Sequence, residues 1–279
     1  MPAADLAALL PAVRALALEA GALILRHYAE GAPATAKADG SPVTEADRAA
    51  EALITPALRH LLPGVPVVAE EAAAAGDLPA IEAAGRFWLV DPLDGTKEFV
   101  NRNGDFTVNI ALIENGAPVL GVVFAPVPGD LYTGIVGAGA RLARPGEPER
   151  AIVAREAPES GWIAVGSRNH YDPAVEGPFL AGFPIGERRS RGSSLKFGLV
   201  AEGLADIYPR IGPTCEWDTA AGHAVLLAAG GRVEEIGGGG HGETPGGGKP
   251  LGYGKPGFRN PPFVAFGRTR VPLPNGGVL

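Results

Sequence analysis

The sequence predicts a protein of mixed helices and strands, in which two helices precede an antiparallel meander and short strands alternate with helices afterwards. Apolar residues recur at three- and four-residue spacing in residues 6–24 and again in residues 44–62, which is typical of amphipathic helices. From 106 to 137, apolar segments are separated by Asn-Gly and Pro-Gly pairs, which predicts antiparallel hairpins. Single apolar segments and small-residue helices follow one another after this meander.

The individual elements are assigned in chain order. Strands are predicted over 65–69, 87–90, 106–113, 119–125, 131–136, 162–166 and 206–209, and helices over 6–24, 44–62, 194–201 and 218–229. The strand at 87–90 is expected to end abruptly at Asp91-Pro92, and residues 39–42 are expected to form a turn. The glycine-rich residues 237–248 are predicted to be a mobile loop. Pro and charged residues become frequent near 144–159, which indicates a mild boundary there.

The composition argues against several classes of protein. Hydrophobic residues make up 46% of the 279 residues and charged residues 20%, so the chain has enough apolar material for a folded core. The net charge of −7 argues against binding to a nucleic-acid polymer. With Cys215 as the single cysteine, no intrachain disulfide can form, which fits a reducing cytoplasm. The N-terminal segment lacks the features of a signal peptide, and without an uncharged apolar stretch of about 18 residues we expect no transmembrane helix.

The first candidate site lies where the strand predicted at 87–90 ends. Asp91 and Asp94 stand on a turn that Pro92 stiffens, and such paired carboxylates provide the hard oxygen ligands that Mg²⁺ prefers. Gly95 lets the backbone approach a ligand closely, and a helix beginning there would point free N–H groups at an anion. The alternative is structural, with Asp94 capping that helix and Asp91 closing an Asx turn.

Three further carboxylates have both a functional and a structural interpretation. Glu70 follows a strand and either helps to bind cations and activate water or is a solvated loop charge. Asp218 opens the helix at 218–229, so it is either a metal ligand or an N-cap. Asp47 completes a capping pattern that begins at Thr44, and it could also polarise a hydroxyl such as that of Thr96.

A basic cluster surrounds a Gly-Ser-Ser turn in the second half of the chain. Its members are Arg188, Arg189, Arg191 and Lys196, which either clamp a phosphate or are ordinary surface charge. His170 either contacts a ligand or is a loop histidine whose hydrogen bonds are satisfied within the protein.

Three of these motifs together resemble a known family. They are Glu-Glu at a strand end (70–71), Asp-Pro-Leu-Asp-Gly-Thr (91–96) and Trp-Asp-Thr-Ala-Ala-Gly (217–222). Their order and spacing resemble the inositol monophosphatase superfamily of lithium-sensitive, magnesium-dependent phosphatases. Within that superfamily the chain is most similar to the bacterial 3'(2'),5'-bisphosphate nucleotidase branch, the CysQ type. Segments 94–99, 102–113, 192–197, 199–203 and 218–225 carry this closer resemblance.

The resemblance implies a fold and a set of site residues. The fold would be a layered αβαβα sandwich, made of an N-terminal α+β half (1–145) and a C-terminal α/β half (146–279), with the site between them. The implied ligands of two to three Mg²⁺ ions are Glu70, Asp91, the carbonyl of Leu93, Asp94 and Asp218. Catalytic roles in orienting and activating water would belong to Glu70, Thr96 and Asp47. The implied substrate contacts are Leu93, Asp94, Gly95, Thr96, Ser167, His170, Gly192, Lys196 and Asp218.

Three functions remain open from the sequence. The first is hydrolysis of the 3'-phosphate of adenosine 3',5'-bisphosphate (PAP) to AMP and phosphate in sulfur metabolism, which the basic cluster and Lys97-Glu98 favour. The second is a phosphatase of the same superfamily that acts on inositol, histidinol or fructose phosphates. The third is a catalytically silent metal- or nucleotide-binding regulator, which the full set of carboxylates disfavours. The expected state is a cytoplasmic monomer or homodimer, with peripheral association with the inner membrane left open.

Overall fold

The computed structural model describes residues 1–31, 34–36, 42–81, 85–168, 172–237 and 248–268. Its helices are α1 (Ala3–Glu30), α2 (Glu45–Leu61), α3 (Glu70–Ala74), α4 (Thr96–Val100), α5 (Pro173–Leu180), α6 (Leu195–Ala201) and α7 (Ala220–Ala228). Its strands are β1 (Ala34–Ala36), β2 (Pro42–Thr44), β3 (Val67–Ala69), β4 (Arg86–Asp94), β5 (Thr107–Glu114), β6 (Ala117–Ala125), β7 (Asp130–Ile135), β8 (Gly139–Ala143), β9 (Arg150–Ile152), β10 (Trp162–Ser167), β11 (Ile185–Arg191), β12 (Ile207–Arg210), β13 (Thr214–Cys215), β14 (Arg232–Glu235), β15 (Arg259–Asn260) and β16 (Phe263–Phe266).

The larger of the two main sheets has seven strands in the order β3-β4-β5-β6-β7-β8-β9. Its first two strands are parallel and all later neighbours are antiparallel. The predicted meander is therefore confirmed in β5, β6 and β7, and the structure extends it by two short strands. Strands β8 and β9 were not predicted from the sequence, because each is short, contains a charged residue and is partly exposed.

The smaller main sheet has five strands in the order β11-β10-β12-β16-β14. The pairs β10-β11 and β10-β12 are parallel, whereas β16 runs antiparallel to both of its neighbours. The predicted strands at 162–166 and 206–209 are confirmed as β10 and β12. The basic cluster proves to include an edge strand, β11, which the sequence analysis did not identify.

Five layers are stacked in the order helix, sheet, helix, sheet, helix. Helices α1 and α2 cover one face of the seven-stranded sheet, and α6 and α7 lie between that sheet and the five-stranded one. Helix α5 contacts the outer side of the smaller sheet, where Trp162, Phe183 and Phe266 pack. The expected αβαβα sandwich is confirmed. The division of the chain into halves at 145/146 stays a prediction.

The first two helices form because each carries an apolar stripe that the larger sheet buries. On α1 the stripe includes Leu6, Val13, Ala17 and Ile24, which are almost completely buried. Within the described ranges, α1 is long and apolar enough to cross a membrane by length and composition alone, but this stripe belongs to the protein core. Helix α2 starts as predicted, because Thr44 and the third helical residue form a capping box.

Helix α7 approaches the larger sheet so closely that two strand positions must be glycine. A Cβ atom at Gly121 would lie 2.3 Å from the carbonyl oxygen of Ala221, and one at Gly134 would lie 2.6 Å from the Cα of Val225. Both distances are too short for real contacts, so backbone packs directly on backbone here. The small residues of α7 explain how this helix fits between two sheets.

Strand β4 corrects one prediction, because it continues through Pro92 to Asp94 instead of ending at residue 90. Its register against β5 shifts between Asp91 and Asp94, so one extra residue is accommodated. Such a bulge tolerates a proline, which has no N–H to contribute to the ladder. Of the predicted turn over 39–42 and the predicted mobile loop over 237–248, residues 39–41 and 238–247 lie outside the described residues, and Pro42 begins β2.

Candidate active site

A pocket of about 190 Å³ opens between the seven-stranded and the five-stranded sheets, where β4 ends. The predicted site residues that line it are Glu70, Asp91, Leu93, Asp94, Gly95, Thr96, Ser167, Lys196 and Asp218. Asp47 lies behind Thr96, and Gly192 lies one residue before Ser193, which does line the pocket. His170 lies outside the described residues. The structure thus brings most of the predicted residues into one place.

The bulge at the end of β4 turns two carboxylates into this pocket. Asp91 is buried, and its Oδ1 accepts a hydrogen bond from the N–H of Leu93 at 3.1 Å, which is the Asx turn considered above. Asp94 does not cap α4, because the N-cap position is Gly95 and no side chain caps that helix. The Asx turn is therefore present at Asp91, where it leaves a metal-binding role open, and the cap expected from Asp94 is wrong.

Asp47 has both of the roles considered from the sequence. Its Oδ2 accepts hydrogen bonds from the N–H and the hydroxyl of Thr44 at 2.8 and 2.6 Å, as a helix cap does. Its Oδ1 accepts a hydrogen bond from the hydroxyl of Thr96 at 3.1 Å. Helix α2 is therefore tied to the pocket through one carboxylate.

Asp218 is not the N-cap of α7, so the structural interpretation of this residue is wrong. Helix α7 begins at Ala220, and the Asp218 carboxylate accepts a hydrogen bond from the N–H of Cys215 at 2.7 Å. The carbonyl of Asp218 accepts a hydrogen bond from the hydroxyl of Ser194 at 2.8 Å. A tight turn before the helix, held from both sides, thus presents this carboxylate to the pocket.

Asn109 joins the two halves of the site and was missed by the sequence analysis. Its side-chain nitrogen donates to Asp94 Oδ2 at 3.2 Å and to Ser194 Oγ at 2.9 Å, while its oxygen accepts from the hydroxyl of Thr107 at 2.9 Å. Because Ser194 in turn binds Asp218, a buried chain of hydrogen bonds connects Asp94 to that residue. An Asn inside a predicted strand gives no local sign of such a role.

Burial and neighbouring carboxylates raise the pKa values of Asp91 and Asp218. Burial raises the pKa of Asp91 well above its ordinary value, and the neighbouring carboxylates of Glu70, Asp94 and Asp218 raise it further. Burial, and then the charges of Asp94 and Glu70, raise the pKa of Asp218 to about 8, against the opposing effect of the Cys215 N–H. A cation in the pocket would reverse these shifts, because it stabilises the ionised forms.

This group of donors fits a hard divalent cation in its chemistry. Carboxylates and a carbonyl are the ligands that Mg²⁺ prefers, and the pocket walls supply both. No group of three Asp, Glu, His or Cys side chains in the described ranges forms a ready-made metal site. The carboxyl of Asp91 is hydrogen-bonded to Glu70, and that of Asp218 accepts a hydrogen bond from the N–H of Cys215. On binding an ion, each carboxylate would replace this hydrogen bond with a bond to the metal.

Another wall of the pocket, built from α6 and β12, is cationic and aromatic. Lys196 is buried, its ammonium donates to the carbonyl of Ser193, and it lies 5.4 Å from the ring centre of Tyr208. Burial lowers the pKa of Lys196 to about 8, and the nearby Asp94 charge opposes this effect. Arg210, which the sequence analysis missed, also lines this wall. Its place directly after the strand predicted at 206–209 is the one signal that could have identified it.

The three arginines of the predicted basic cluster do not line the pocket. Arg188 pairs with Glu176 at 3.5 Å, and Arg189 pairs with Glu187 at 2.7 Å. Arg191 pairs with Asp105 instead. Lys196 is the member of the cluster that reaches the pocket.

The layered fold and the acidic pocket define a known class of protein. The chain belongs to the inositol monophosphatase family, whose model matches residues 5–257. It is 46% identical over 254 residues to the 3'(2'),5'-bisphosphate nucleotidase CysQ of Escherichia coli strain K12. The alignment covers 89% of this chain and 95% of that protein. The nucleotidase CysQ of Aggregatibacter actinomycetemcomitans is 35% identical over 260 residues, or 92% of this chain and 91% of that protein.

Solved structures of inositol monophosphatase family members have a similar fold. The crystal structure of CysQ from Bacteroides thetaiotaomicron, a bacterial member of the inositol monophosphatase family, aligns with a TM-score of 0.71 and 38% identity over 92% of this chain and 97% of that chain. The inositol monophosphatase of Anabaena (Nostoc) aligns with a TM-score of 0.70 and 26% identity over 95% and 92% of the two chains.

Proposed function

We propose that this chain is a magnesium-dependent 3'(2'),5'-bisphosphate nucleotidase that removes the 3'-phosphate of adenosine 3',5'-bisphosphate. The observation that carries this proposal is the charge of the pocket, which the carboxylates of Asp91, Asp94 and Asp218 line together with the cations Lys196 and Arg210. A substrate with two phosphates needs both sides: a metal site for the phosphate that is cleaved and fixed cations for the other one. The similarity to nucleotidases of the CysQ type supports the same substrate.

The carboxylate side would hold two to three Mg²⁺ ions. Their ligands would be Glu70, Asp91, the carbonyl of Leu93, Asp94 and Asp218. When bound, such ions supply positive charge that stabilises the phosphoryl oxygens in the transition state.

The chain's own side chains prepare the attacking water. Because the Thr96 hydroxyl donates its proton to Asp47, its oxygen is left to accept a hydrogen bond from a water in the pocket. The Glu70 carboxylate, on the same pocket, would accept the proton that this water loses as its oxygen attacks phosphorus. The phosphorus–oxygen bond to the ribose then breaks, and the ribose oxygen takes a proton from a solvent water and leaves as a hydroxyl. Glu70 returns its proton to the hydroxide that this leaves, so that one water is consumed in all. Gly95 would bring the backbone up to the phosphate.

The cationic side would select the nucleotide. Arg210 Nε is buried without a hydrogen-bond partner in the described residues, while its Nη2 donates to the carbonyl of Pro213. A buried guanidinium edge of this kind gains from an anionic acceptor. Lys196 supplies a second positive charge, and an approaching phosphate would favour its protonated form. Ser167 and His170 are proposed to contact the nucleoside.

As part of the same proposal, the enzyme works in the reducing cytoplasm on a small phosphorylated nucleotide and not on a nucleic-acid polymer. Whether it acts as a monomer or a homodimer would be measured by light scattering. A peripheral association with the inner membrane would be tested by sedimentation with vesicles.

The test measures phosphate release with Mg²⁺ from PAP, inositol 1-phosphate, fructose 1,6-bisphosphate and histidinol phosphate, each with and without a chelator or lithium. The expected result is a strong preference for PAP that chelator or lithium abolishes. Preference for a sugar or polyol phosphate would contradict the substrate but keep a metal-dependent phosphatase. No release from any substrate by folded, magnesium-loaded protein would favour a silent regulator.

A variant pair sharpens the assignment of the second phosphate. Arg210→Gln should raise the KM for PAP but change the KM for adenosine 3'-phosphate little, because the latter lacks the 5'-phosphate. Arg189→Gln is the matched control, since Arg189 pairs with Glu187 outside the pocket. An equal effect of Arg210→Gln on both substrates would contradict the proposed contact.

A further inference from the structure

Asp105, beside the pocket, joins the segment after α4 to the smaller sheet. It lies in the turn between α4 and β5, and its carboxylate is largely buried. Its Oδ2 accepts a hydrogen bond from Arg168 Nη2 at 2.7 Å and from the N–H of Gly192 at 3.1 Å, and its Oδ1 accepts one from Arg191 Nη1 at 3.1 Å. One carboxylate thus holds the ends of two strands of the smaller sheet, β10 and β11.

The backbone of Asp105 is wedged between two glycines. A Cβ atom at Gly192 would lie 2.6 Å from the Asp105 carbonyl oxygen, and one at Gly95 would lie 3.2 Å from the same atom. The first distance is too short for any side chain, so residue 192 must be glycine for these loops to meet. Gly95 lines the pocket, and it meets Asp105 through the main-chain carbonyl oxygen, which a change of the Asp105 carboxylate to an amide keeps.

The segments that Asp105 holds lead directly into the cationic wall. Ser167, which lines the pocket, precedes Arg168. Ser193 follows Gly192 and also lines the pocket. The carbonyl of Ser193 accepts a hydrogen bond from the Lys196 ammonium. The position of Lys196 therefore depends on a loop whose first N–H is held by Asp105. No comparable contact runs from Asp105 to Asp91 or Asp218 among the hydrogen bonds of the described residues.

We propose that Asp105 is a positioning residue that sets affinity for the nucleoside and second-phosphate part of the substrate and leaves the chemical step unaffected. This inference rests on the proposed function. Its physical basis is the strength of charge-assisted hydrogen bonds to a buried carboxylate, which hold two otherwise separate strand ends in one geometry. Asp105 itself touches no substrate in this scheme, because it does not line the pocket.

The test compares Asp105→Asn with the parent enzyme in Mg²⁺ on PAP. We expect KM to rise about tenfold, equivalent to about 1.4 kcal/mol of binding free energy, while kcat changes less than about twofold. The inhibition constant of the product AMP should rise in parallel. That of inorganic phosphate should stay unchanged, since phosphate needs only the carboxylate side.

Two further variants control for a loss of folding. Arg191→Gln removes one donor to Asp105 from a half-exposed position and should raise the KM for PAP about threefold. Arg189→Gln is its matched control, because it lies two residues earlier on β11 and pairs with Glu187. If Asp105→Asn does not fold, the KM values of Arg191→Gln and Arg189→Gln for PAP test the inference. A higher KM for Arg191→Gln supports it, and equal KM values overturn it.

The outcomes separate this inference from the function on which it rests. No hydrolysis of PAP by the parent enzyme overturns the proposed function, and the inference with it. Hydrolysis by the parent with an unchanged KM in folded Asp105→Asn overturns the inference alone. A fall in kcat with KM unchanged, or an equal rise in the inhibition constants of AMP and phosphate, also overturns it, because Asp105 would then support the carboxylate side.

Discussion

The hydroxyl of Thr96 donates a hydrogen bond to Asp47 Oδ1 at 3.1 Å, which joins a helix cap to the pocket. The other oxygen of Asp47 holds the first turn of α2 through Thr44. A single carboxylate therefore orients a hydroxyl at the site and stabilises the helix that covers the larger sheet. Substitutions on its two sides should separate the two contributions.

Thr96→Val should lower kcat by about a hundredfold, because it removes the hydroxyl that orients water while it keeps the shape of the side chain. Thr44→Ala is the matched control on the other side of Asp47. It should lower the free energy of unfolding by about 1 kcal/mol and leave kcat nearly unchanged. The measurements are steady-state kinetics with PAP and urea unfolding. Full activity of folded Thr96→Val would contradict the role given to its hydroxyl.

Asp91→Asn should abolish turnover without unfolding the protein. Burial and acidic neighbours raise the pKa of the Asp91 carboxyl, so they disfavour its ionised form in the metal-free protein, and a neutral amide cannot carry that charge. The melting temperature without metal should stay equal or rise. Millimolar Mg²⁺ should raise the melting temperature of the parent but not of the variant.

The control for Asp91→Asn is Glu187→Gln, which changes an exposed carboxylate outside the pocket. It should respond to Mg²⁺ as the parent does. A metal-dependent rise in the melting temperature of Asp91→Asn equal to that of the parent would exclude this residue as a ligand.

The parts of the fold that the sequence predicted are those with local signals. The meander from β5 to β7 combines apolar segments with glycine turns, and α2 has its capping pattern at Thr44. Strand β11 has no such pattern, because it is an edge strand with charged residues that discourage pairing with another sheet. A half-exposed, charged strand looks like a loop in the sequence.

The candidate site was predictable to the extent that its residues lie in three short motifs. Its supporting contacts were not, because they join distant positions. Asp105 and Arg191 are 86 residues apart, and Asp105 and Arg168 are 63 apart. Such pairs depend on how two sheets pack around α6 and α7, which no local pattern contains. The same reason explains why Asn109 and Arg210 were missed.

Gly121→Ala should destabilise the protein by about 1–3 kcal/mol, because the new Cβ would lie 2.3 Å from a carbonyl oxygen of α7. Gly177→Ala is the matched control, since its Cβ would meet no atom within 4 Å and it lies within α5. That control should be neutral or stabilise the protein by up to about 1 kcal/mol. Urea unfolding measures both. Equal stability of the two variants would contradict the direct packing of α7 on the sheet.

The free energy of unfolding of the metal-free protein should decrease as the pH is lowered below about 6.5, because of His223. This residue is buried, its Nδ1 lies 2.9 Å from the hydroxyl of Tyr253, and burial followed by the charge of Lys255 lowers its pKa to about 3. Between the ordinary pKa of about 6.5 and 3, the unfolded chain binds a proton at this position that the folded chain does not. The free energy of unfolding should therefore lose about 1.4 kcal/mol per pH unit from this residue over that interval.

Urea unfolding at pH 7, 6 and 5 in chelator measures this dependence, with His223→Phe as the comparison. The variant loses the hydrogen bond to Tyr253 and should be less stable than the parent at pH 7. It should also lose less stability on acidification, since the residue that gains a proton on unfolding is gone. His60, on the exposed side of α2, provides the control, because His60→Phe should keep the parent's pH dependence. Identical slopes for the parent and His223→Phe would show that the acid sensitivity comes from other groups.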